Sequence, residues 1–492
     1  MRVLLVWPEI PTTFWSYKHA IKFISKKTVE PPLGLLTVAA LLPKRWQKRL
    51  VDMNVSALRD KDILWADYVF VGGMDIQRLS FNDVLARCKT LGAKTVAGGP
   101  MCTSDGKEVE NVDHLILNEA EITLSEFVAD LEAGQAKSVY RSEEYADISQ
   151  TPAPLWDLLN LKKYVTMDVQ YSRGCPYNCE FCSITSLCGR RPRLKSPPQF
   201  LAELQSLYTL GWRGKVFIVD DNLIGNRRVL KNELLPALIQ WSTERGNPFE
   251  FHAEVSIELA DDEQLMQLME QAGFTMVFVG IETPDEQSLK ECGKHQNQGR
   301  DLLASVRRIH RHGMAVSGGF IVGFDHDSAD IFDRQIHFIQ KSGIVTAMVG
   351  LLNAMPGTLL FRRLQSENRL LESPTGDNMD GSLNFIPKMN TQSLLDGYRR
   401  VVQTIYSPHH YLERVKTLLR EYRLPTIPTQ RPSLREIQAL FRAVWRLGII
   451  EEGKRFFWKL LFFVVKNCPE KFALAVSLAI CGFHFRKVAA EV

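Results

Sequence analysis

No stretch of this chain stays apolar for the roughly 18 to 20 residues that a bilayer-spanning helix needs. The two greasiest runs, Phe456 to Val465 and Phe472 to Phe485, both stop short. Charge does not favour one sign either. Lys and Arg number 60 against 56 Asp and Glu, a net +4 over 492 residues, too little for a nucleic-acid scaffold. The nine cysteines do not have the spacing of a secreted disulfide framework, and Met1-Arg-Val-Leu-Leu-Val-Trp-Pro8 is broken too early for a signal peptide. These absences lead us to expect a cytoplasmic protein in a reducing compartment. The composition, 45% hydrophobic and 24% charged, is that of an ordinary globular chain, long enough for two or three domains.

Against that plain background, Tyr171-Ser-Arg-Gly-Cys-Pro-Tyr-Asn-Cys-Glu-Phe-Cys-Ser183 stands out. Cys175, Cys179 and Cys182 follow a C-x3-C-x2-C spacing. Three close thiolates suit a soft metal centre, and short cysteine runs of this kind hold iron–sulfur clusters. With three protein ligands, one iron of a four-iron cluster stays open to a substrate or cofactor. The alternatives at this point are a zinc site short of one ligand, or unrelated free thiols. The other six cysteines (Cys88, Cys102, Cys188, Cys292, Cys468, Cys481) show no second cluster spacing.

Short apolar strands alternate with helical patterns on both sides of this run. Val3–Trp7, Leu50–Met53, Tyr68–Val71 and Thr95–Ala97 read as strands, with Gly72-Gly73 and Gly98-Gly99-Pro100 after the last two. That beat predicts a parallel, Rossmann-like sheet over residues 1–134 whose ligands bind at the strands' carboxyl ends. The glycines fit close approach to a ligand there, and equally fit ordinary turns. Residues 135–160 read as a linker. From 161 to 355, six candidate strands (Thr166–Tyr171, Lys215–Val219, Glu250–Val255, Met276–Ile281, Ala315–Val322, Val345–Leu351) alternate with helical patterns. This predicts a partial (β/α)6 TIM-type barrel with its chemistry on the loops after the strands. Asp220-Asp221-Asn222, Glu282-Thr-Pro284 and the Gly319–Gly323 stretch end three of these strands. They suit the amino group and ribose hydroxyls of a nucleoside cofactor, or the capping of the helices that follow.

The whole chain resembles the cobalamin-binding (class B) radical S-adenosylmethionine (SAM) proteins, in the branch of the hopanoid C-2 methylases. The supporting residues are the cysteine triplet, Pro31-Pro-Leu-Gly34, Asp52-Met-Asn54, Gly98-Gly-Pro100, Asn118-Glu-Ala-Glu121 and Thr12-Thr-Phe-Trp-Ser-Tyr17. The resemblance implies a [4Fe–4S] cluster on Cys175, Cys179 and Cys182, with SAM on its open iron and Phe181 near the adenine. Asp220, Asp221, Glu282, Gly319 and Gly323 would contact SAM. Cobalamin would lie on the N-terminal sheet near Asp52, Asn54, Gly72, Gly73, Gly98 and Gly99. The implied reaction is C-methylation: SAM is cleaved, hydrogen leaves an unactivated carbon of a hopanoid-type lipid, and the methyl group arrives from cobalamin. An electron donor such as a flavodoxin or ferredoxin would feed the cluster; no nucleic-acid partner is implied. One departure stands out. Many corrinoid domains carry Asp-x-His-x-x-Gly, whose His ligates cobalt. Here the run is Asp52-Met-Asn54-Val-Ser-Ala57, with Asn for His, and His114 is out of register and reads as structural.

Residues 356–492 read as a helical region. Arg442, Arg446, Lys454, Arg455, Lys459 and Lys466 interleave with its apolar runs, a pattern that fits a membrane-interfacial or substrate-covering layer or ordinary helices packed on the barrel. Two rival functions remain at this stage. One is a radical SAM cyclase or oxidase without methyl transfer; the other is a non-catalytic corrinoid or redox sensor. A transfer-RNA methylthiotransferase would need a second three-cysteine cluster and a basic RNA-binding module, and neither is visible.

Overall fold

The structure, a computed structural model, describes every residue except 106–108, 372–375, 377–379 and 426–433. Two six-stranded parallel sheets organise it. The first is built from β1 (Arg2–Trp7), β2 (Gln47–Asp52), β3 (Tyr68–Gly72), β4 (Lys94–Gly98), β5 (His114–Ile116) and β6 (Val139–Tyr140). Their order in the sheet is β2-β1-β3-β4-β5-β6. The chain reverses direction across the sheet between β1 and β3, so the crevice for a ligand lies where Pro8 and Gly73 follow those strands. Both faces are covered by apolar cores: Val69, Val71, Phe81 and Leu85 on one, Leu5, Phe70, Leu124 and Phe127 on the other. The edge strand β6 lies inside the stretch read from sequence as linker. His114 opens β5, and its Nδ1 lies 2.6 Å from the Lys137 carbonyl, the structural role expected of it.

The second sheet contains β7 (Thr166–Val169), β10 (Gly214–Ile218), β11 (Phe249–Glu254), β12 (Phe274–Glu282), β13 (Ala315–Val322) and β14 (Ala347–Leu351). They neighbour one another in chain order from β7 to β14 and are all parallel, which is the partial barrel read from the sequence. A small antiparallel ribbon, β8 (Ser172–Arg173) with β9 (Arg193–Leu194), flanks the cysteine run. On β12 the residues alternate. Val277, Val279 and Ile281 are fully buried against the outer helices, while Met276, Phe278 and Gly280 keep some accessibility on the opposite, lumen face.

A six-strand barrel is not closed, so β7 and β14 leave an open side. Residues 11–30 span it. Thr28 and Val29 run beside the start of β7, where the Thr166 amide donates to the Val29 carbonyl at 2.9 Å. At the other margin Phe14 lies 5.9 Å from Tyr406, whose hydroxyl donates to the Ala347 carbonyl of β14 at 2.7 Å. The final helix, Phe472–Ala489, completes the closure. Phe485 stacks on Phe14 with centroids 4.4 Å apart and planes 10° off parallel, and His484 Nε2 lies 2.9 Å from the Phe14 carbonyl. With its preceding turn, Pro469–Ala489 is long and apolar enough to cross a membrane. That corrects the count made from the apolar run alone, because the helix continues through Arg486 and Lys487. Its packing on Phe14, Tyr406 and Tyr411 is that of a core helix. The first residues of the basic stretch that begins at Arg431 lie outside the described residues; its helix runs Leu434–Trp445.

Candidate active site

The cysteine loop leaves the barrel at the carboxyl end of β7, and its shape is dictated from both sides. Gly174 has φ +100°, and a Cβ there would meet the carbonyls of Cys188, Gly189 and Arg191 at 3.0–3.1 Å, so only glycine fits before Cys175. Asp220, at the end of β10, accepts from the amides of Tyr171 and Ser172, each at 2.7 Å, and from the Ser172 hydroxyl at 2.5 Å. Asp221 accepts from the Gly174 amide at 3.0 Å. The two aspartates therefore first of all pin the entry to the cysteine loop. Asp220 is fully buried, its carboxyl raised to about 7 by that burial against the three donated bonds. Asp221 retains some accessibility and is the one placed to meet a ligand.

Two further clamps hold the loop. Arg173 donates to Glu121 at 2.9 and 3.3 Å and lies 3.3 Å from Glu119. Arg193 reaches Glu119 at 2.6 Å. The Asn118–Glu121 motif of the N-terminal domain thus grips the two arginines of the β8–β9 ribbon. From the C-terminal side, Arg363 forks onto Glu180, between Cys179 and Phe181, at 2.6 and 3.1 Å. The Glu180 carbonyl also accepts from the Leu360 amide, and its own amide donates to the Cys292 carbonyl, both at 2.8 Å.

Sequence reading missed the residues directly behind the thiols. Lys294 is enclosed by protein and pairs with Glu282 at 2.6 Å, and Gln296 Nε2 lies 3.7 Å from Cys179 Sγ. The Lys294–Glu282 pair lies over Gly280: a Cβ there would come within 2.7 Å of Lys294 Nζ. Glu282 itself has φ +63°, at a register shift where β12 meets β13, a strained position held by these contacts. The available signal was a lysine 12 residues after a strand-end glutamate, which is faint among 60 basic residues.

Phe181 keeps partial accessibility, 6.2 Å from Phe324 and 6.0 Å from Lys294 Nζ. Gly319 lies beside the Phe278 ring of the neighbouring strand, where a Cβ would meet it at 2.8 Å. The Gly323 amide donates to Asp327 at 2.8 Å. Glu282, Phe181, Gly319 and Gly323 thus surround one rim, with the cysteines.

Among the described residues, no three His, Cys, Asp or Glu side chains converge tightly enough for a single metal ion. Cys175, Cys179 and Cys182 share one neighbourhood, each feeling the charge of another of the three and of Lys294. A cluster in which each cysteine takes its own iron fits that wider arrangement. Burial raises the Cys175 thiol and pushes Cys182 up to about 12. Cys188, near Asp221 and likewise pushed up to about 12 by burial, has the character of a neutral thiol.

On the N-terminal sheet, Asn54 is fully engaged. Its Oδ1 accepts from the Ile10 amide at 2.8 Å, and its Nδ2 donates to Asp52 at 2.8 Å and to the Pro8 carbonyl at 3.2 Å. Asp52 also accepts from Tyr164 of the barrel domain at 2.9 Å. Asn54 therefore braces the loop and has no donor atom free for a cobalt ion. Gly73 and Gly99 abut, with a Cβ on Gly99 reaching the Gly73 carbonyl at 3.0 Å; Gly72 packs on Leu35, and Gly98 on the Ile116 carbonyl. Beyond β5, Asn118 has a buried Oδ1 with no hydrogen-bond partner, so this sheet edge offers close-packed backbone and an unfilled acceptor to a large polar ligand.

Asp168 is buried and Glu254 half-buried, and both feel the charge of the exposed Glu30. Burial raises both carboxyls, Glu254 to about 8. Trp15, 42% exposed, meets Phe278 edge-on at 5.5 Å.

These features coincide with what comparison with known proteins finds. Residues 169–339 match the radical SAM superfamily and residues 358–492 a domain of unknown function, DUF4070. A Synechocystis methyltransferase, sll1242, is 41% identical over 99% of this chain and 91% of its own. The hopanoid C-2 methylase of Rhodopseudomonas palustris is 34% identical over 93% of this chain and 88% of its own. Two solved structures share the fold. The cobalamin-dependent SAM radical enzyme OxsB has a TM-score of 0.63 at 15% identity, covering 100% of this chain and 80% of its own. The radical SAM methyltransferase TsrM from Kitasatospora setae, with cobalamin and a [4Fe-4S] cluster bound, has a TM-score of 0.65 at 13% identity, covering 92% and 97%. The chain is a radical SAM enzyme with the architecture of the cobalamin-dependent members. Within that class it belongs to the family of methyltransferases that includes the Synechocystis and Rhodopseudomonas proteins.

Proposed function

We propose that this enzyme methylates an unactivated ring carbon of a hopanoid-type lipid, at C-2, using a [4Fe–4S] cluster, SAM and cobalamin. The observation that carries this reading is the clamp of Arg173 and Arg193 by Glu121 and Glu119. It draws the cysteine loop to the edge of the N-terminal sheet, so that groups bound by either domain share one space. When bound, the cluster and SAM supply hydrogen abstraction and cobalamin supplies the methyl group.

The chain's own residues bind, orient and exclude water. Cys175, Cys179 and Cys182 hold the cluster; Asp221, Glu282, Phe181, Gly319 and Gly323 frame SAM; Asp220 fixes the loop. The edge carrying Asp52, Gly72, Gly73, Gly98 and Gly99 receives cobalamin. With Asn54 committed to Pro8 and Ile10, the cobalt takes no ligand from that position. Trp15, Met276 and Phe278 give the barrel lumen an apolar wall suited to a polycyclic hydrocarbon. Residues 11–30 and the last helix cover the open side of the barrel.

The relative named a hopanoid C-2 methylase supports the substrate class. Contact with a membrane surface is supported by the helices at 434–467. Phe441, Trp445, Ile449, Ile450, Phe462 and Val465 are 49–72% exposed there, among Arg442, Arg446, Lys454, Arg455, Lys459 and Lys466. Exposed apolar side chains interspersed with basic residues fit the interface of an anionic bilayer, which supports a cytoplasmic enzyme working beside its lipid. A small electron-transfer protein of the flavodoxin or ferredoxin class serves as reductant.

Anaerobic turnover with methyl-labelled SAM, cobalamin and a hopanoid tests the reading. We expect the label on the lipid ring. A lipid altered without gain of the label would instead indicate the cyclase or oxidase alternative.

A further inference from the structure

Lys294 is a mostly buried cation, its side chain 13% exposed, and a charge so placed needs a compensating partner. Its direct partner is Glu282, 2.6 Å away. Both reach over Gly280, where a Cβ would come within 2.7 Å of Lys294 Nζ. The ammonium lies 6.0 Å from the Phe181 ring and close enough to Cys175, Cys179 and Cys182 to act on their charge. The pair thus sets a positive charge beside the sulfurs, with the Glu282 carboxylate held against it. Gln296 adds a directed contact: its Nε2 donates to Cys179 Sγ at 3.7 Å, while its Oε1 is buried with no hydrogen-bond partner. Asn297, next in the chain, donates to the carbonyls of Gly280 and Ile281 at 3.0 and 2.9 Å, which fixes the segment against β12.

Charge and hydrogen bonds near the sulfurs are among the levers a protein has on the potential of an iron–sulfur cluster. On reduction the cluster takes one electron from the donor and gains one negative charge, which a nearby cation and an N–H donor stabilise. We propose that Lys294 and Gln296 raise the reduction potential of the cluster on Cys175, Cys179 and Cys182, and that Glu282 limits the rise. The inference rests on the assignment of that cluster. Lys294 and Gln296 act through the cluster ligands and are positioning residues.

The test is an EPR-monitored redox titration of the reconstituted protein without SAM, with dithionite as reductant. Iron and sulfide are counted first in each variant. Lys294→Met and Gln296→Leu should each shift the midpoint to lower potential, Lys294→Met further. Glu282→Gln, which leaves Lys294 uncompensated, should shift it upward, and Lys294→Arg should restore the wild-type value. If Lys294→Met fails to hold the cluster, the upward shift of Glu282→Gln and the downward shift of Gln296→Leu decide. Midpoints unmoved, or all moved in one direction, in variants with full iron content would overturn the proposal. A wild-type protein that never assembles a four-iron cluster would overturn the assignment beneath it.

Discussion

Arg173 and Glu121, 52 positions apart in the chain, are joined by two hydrogen bonds of 2.9 and 3.3 Å. They tie the N-terminal sheet to the loop that carries the cluster cysteines. Both side chains are mostly buried, at 15% and 11% exposure.

Removing one partner of such a pair leaves a buried charge without its counterion. We predict that Glu121→Ala lowers unfolding stability by about 3–5 kcal/mol, the range for breaking a buried pair, with Glu119 retaining part of the hold on Arg173. Urea denaturation of the purified protein measures this. Iron content after reconstitution should fall along with it.

Arg363 serves the same loop from the other side, forking onto Glu180. Because it is partly exposed, its removal should cost little global stability. Arg363→Ala should instead speed loss of the cluster in air several-fold, followed by bleaching of the iron–sulfur absorbance. Arg363→Lys, which cannot fork, should rescue only in part.

The Glu254 carboxyl gives the fold a pH dependence. Burial, with the charges of Asp221 and Glu30 beside it, raises it from 4.5 to about 8. In this window the folded protein binds more protons than the unfolded chain, so stability falls as pH rises from about 4.5 to about 8 and levels off above. Glu254→Gln should flatten this decline, seen as denaturation midpoints at pH 5.5 and pH 8 that lie closer together than in the wild type.

Phe485 holds the last helix on the segment that seals the barrel. It is 1% exposed, stacks on Phe14 and lies tilted against Tyr406 with centroids 5.1 Å apart. Phe485→Ala should cost about 3–5 kcal/mol, as large-to-small changes of buried aromatics do, and calorimetry would show it as a lowered Tm.

The strands of both sheets that carry apolar runs were legible, because β-branched and apolar blocks between turn residues have few other uses. β5 and β6, of three and two residues, carry too few side chains to make a pattern, so the sheet extends into a stretch read as linker. The cysteine loop was legible from its spacing alone. What surrounds it was not: Lys294, Gln296 and Arg363 lie 112, 114 and 181 residues beyond Cys182, and a charged residue at such a distance looks like any solvated one. Asp220 and Asp221 were read as ligand contacts from their strand-end position. Their carboxylates are occupied first with the loop itself, a distinction that needs the backbone in view.

The most direct test of the central claim is the iron, sulfide and corrinoid content per chain after anaerobic purification from cobalamin-supplied cells and cluster reconstitution. The account predicts about four irons and four sulfides, as a four-iron cluster on three thiolates requires, with near-stoichiometric corrinoid, and loss of the iron in Cys179→Ala. Iron that survives in Cys179→Ala, or a wild-type chain that takes up no corrinoid, would contradict it.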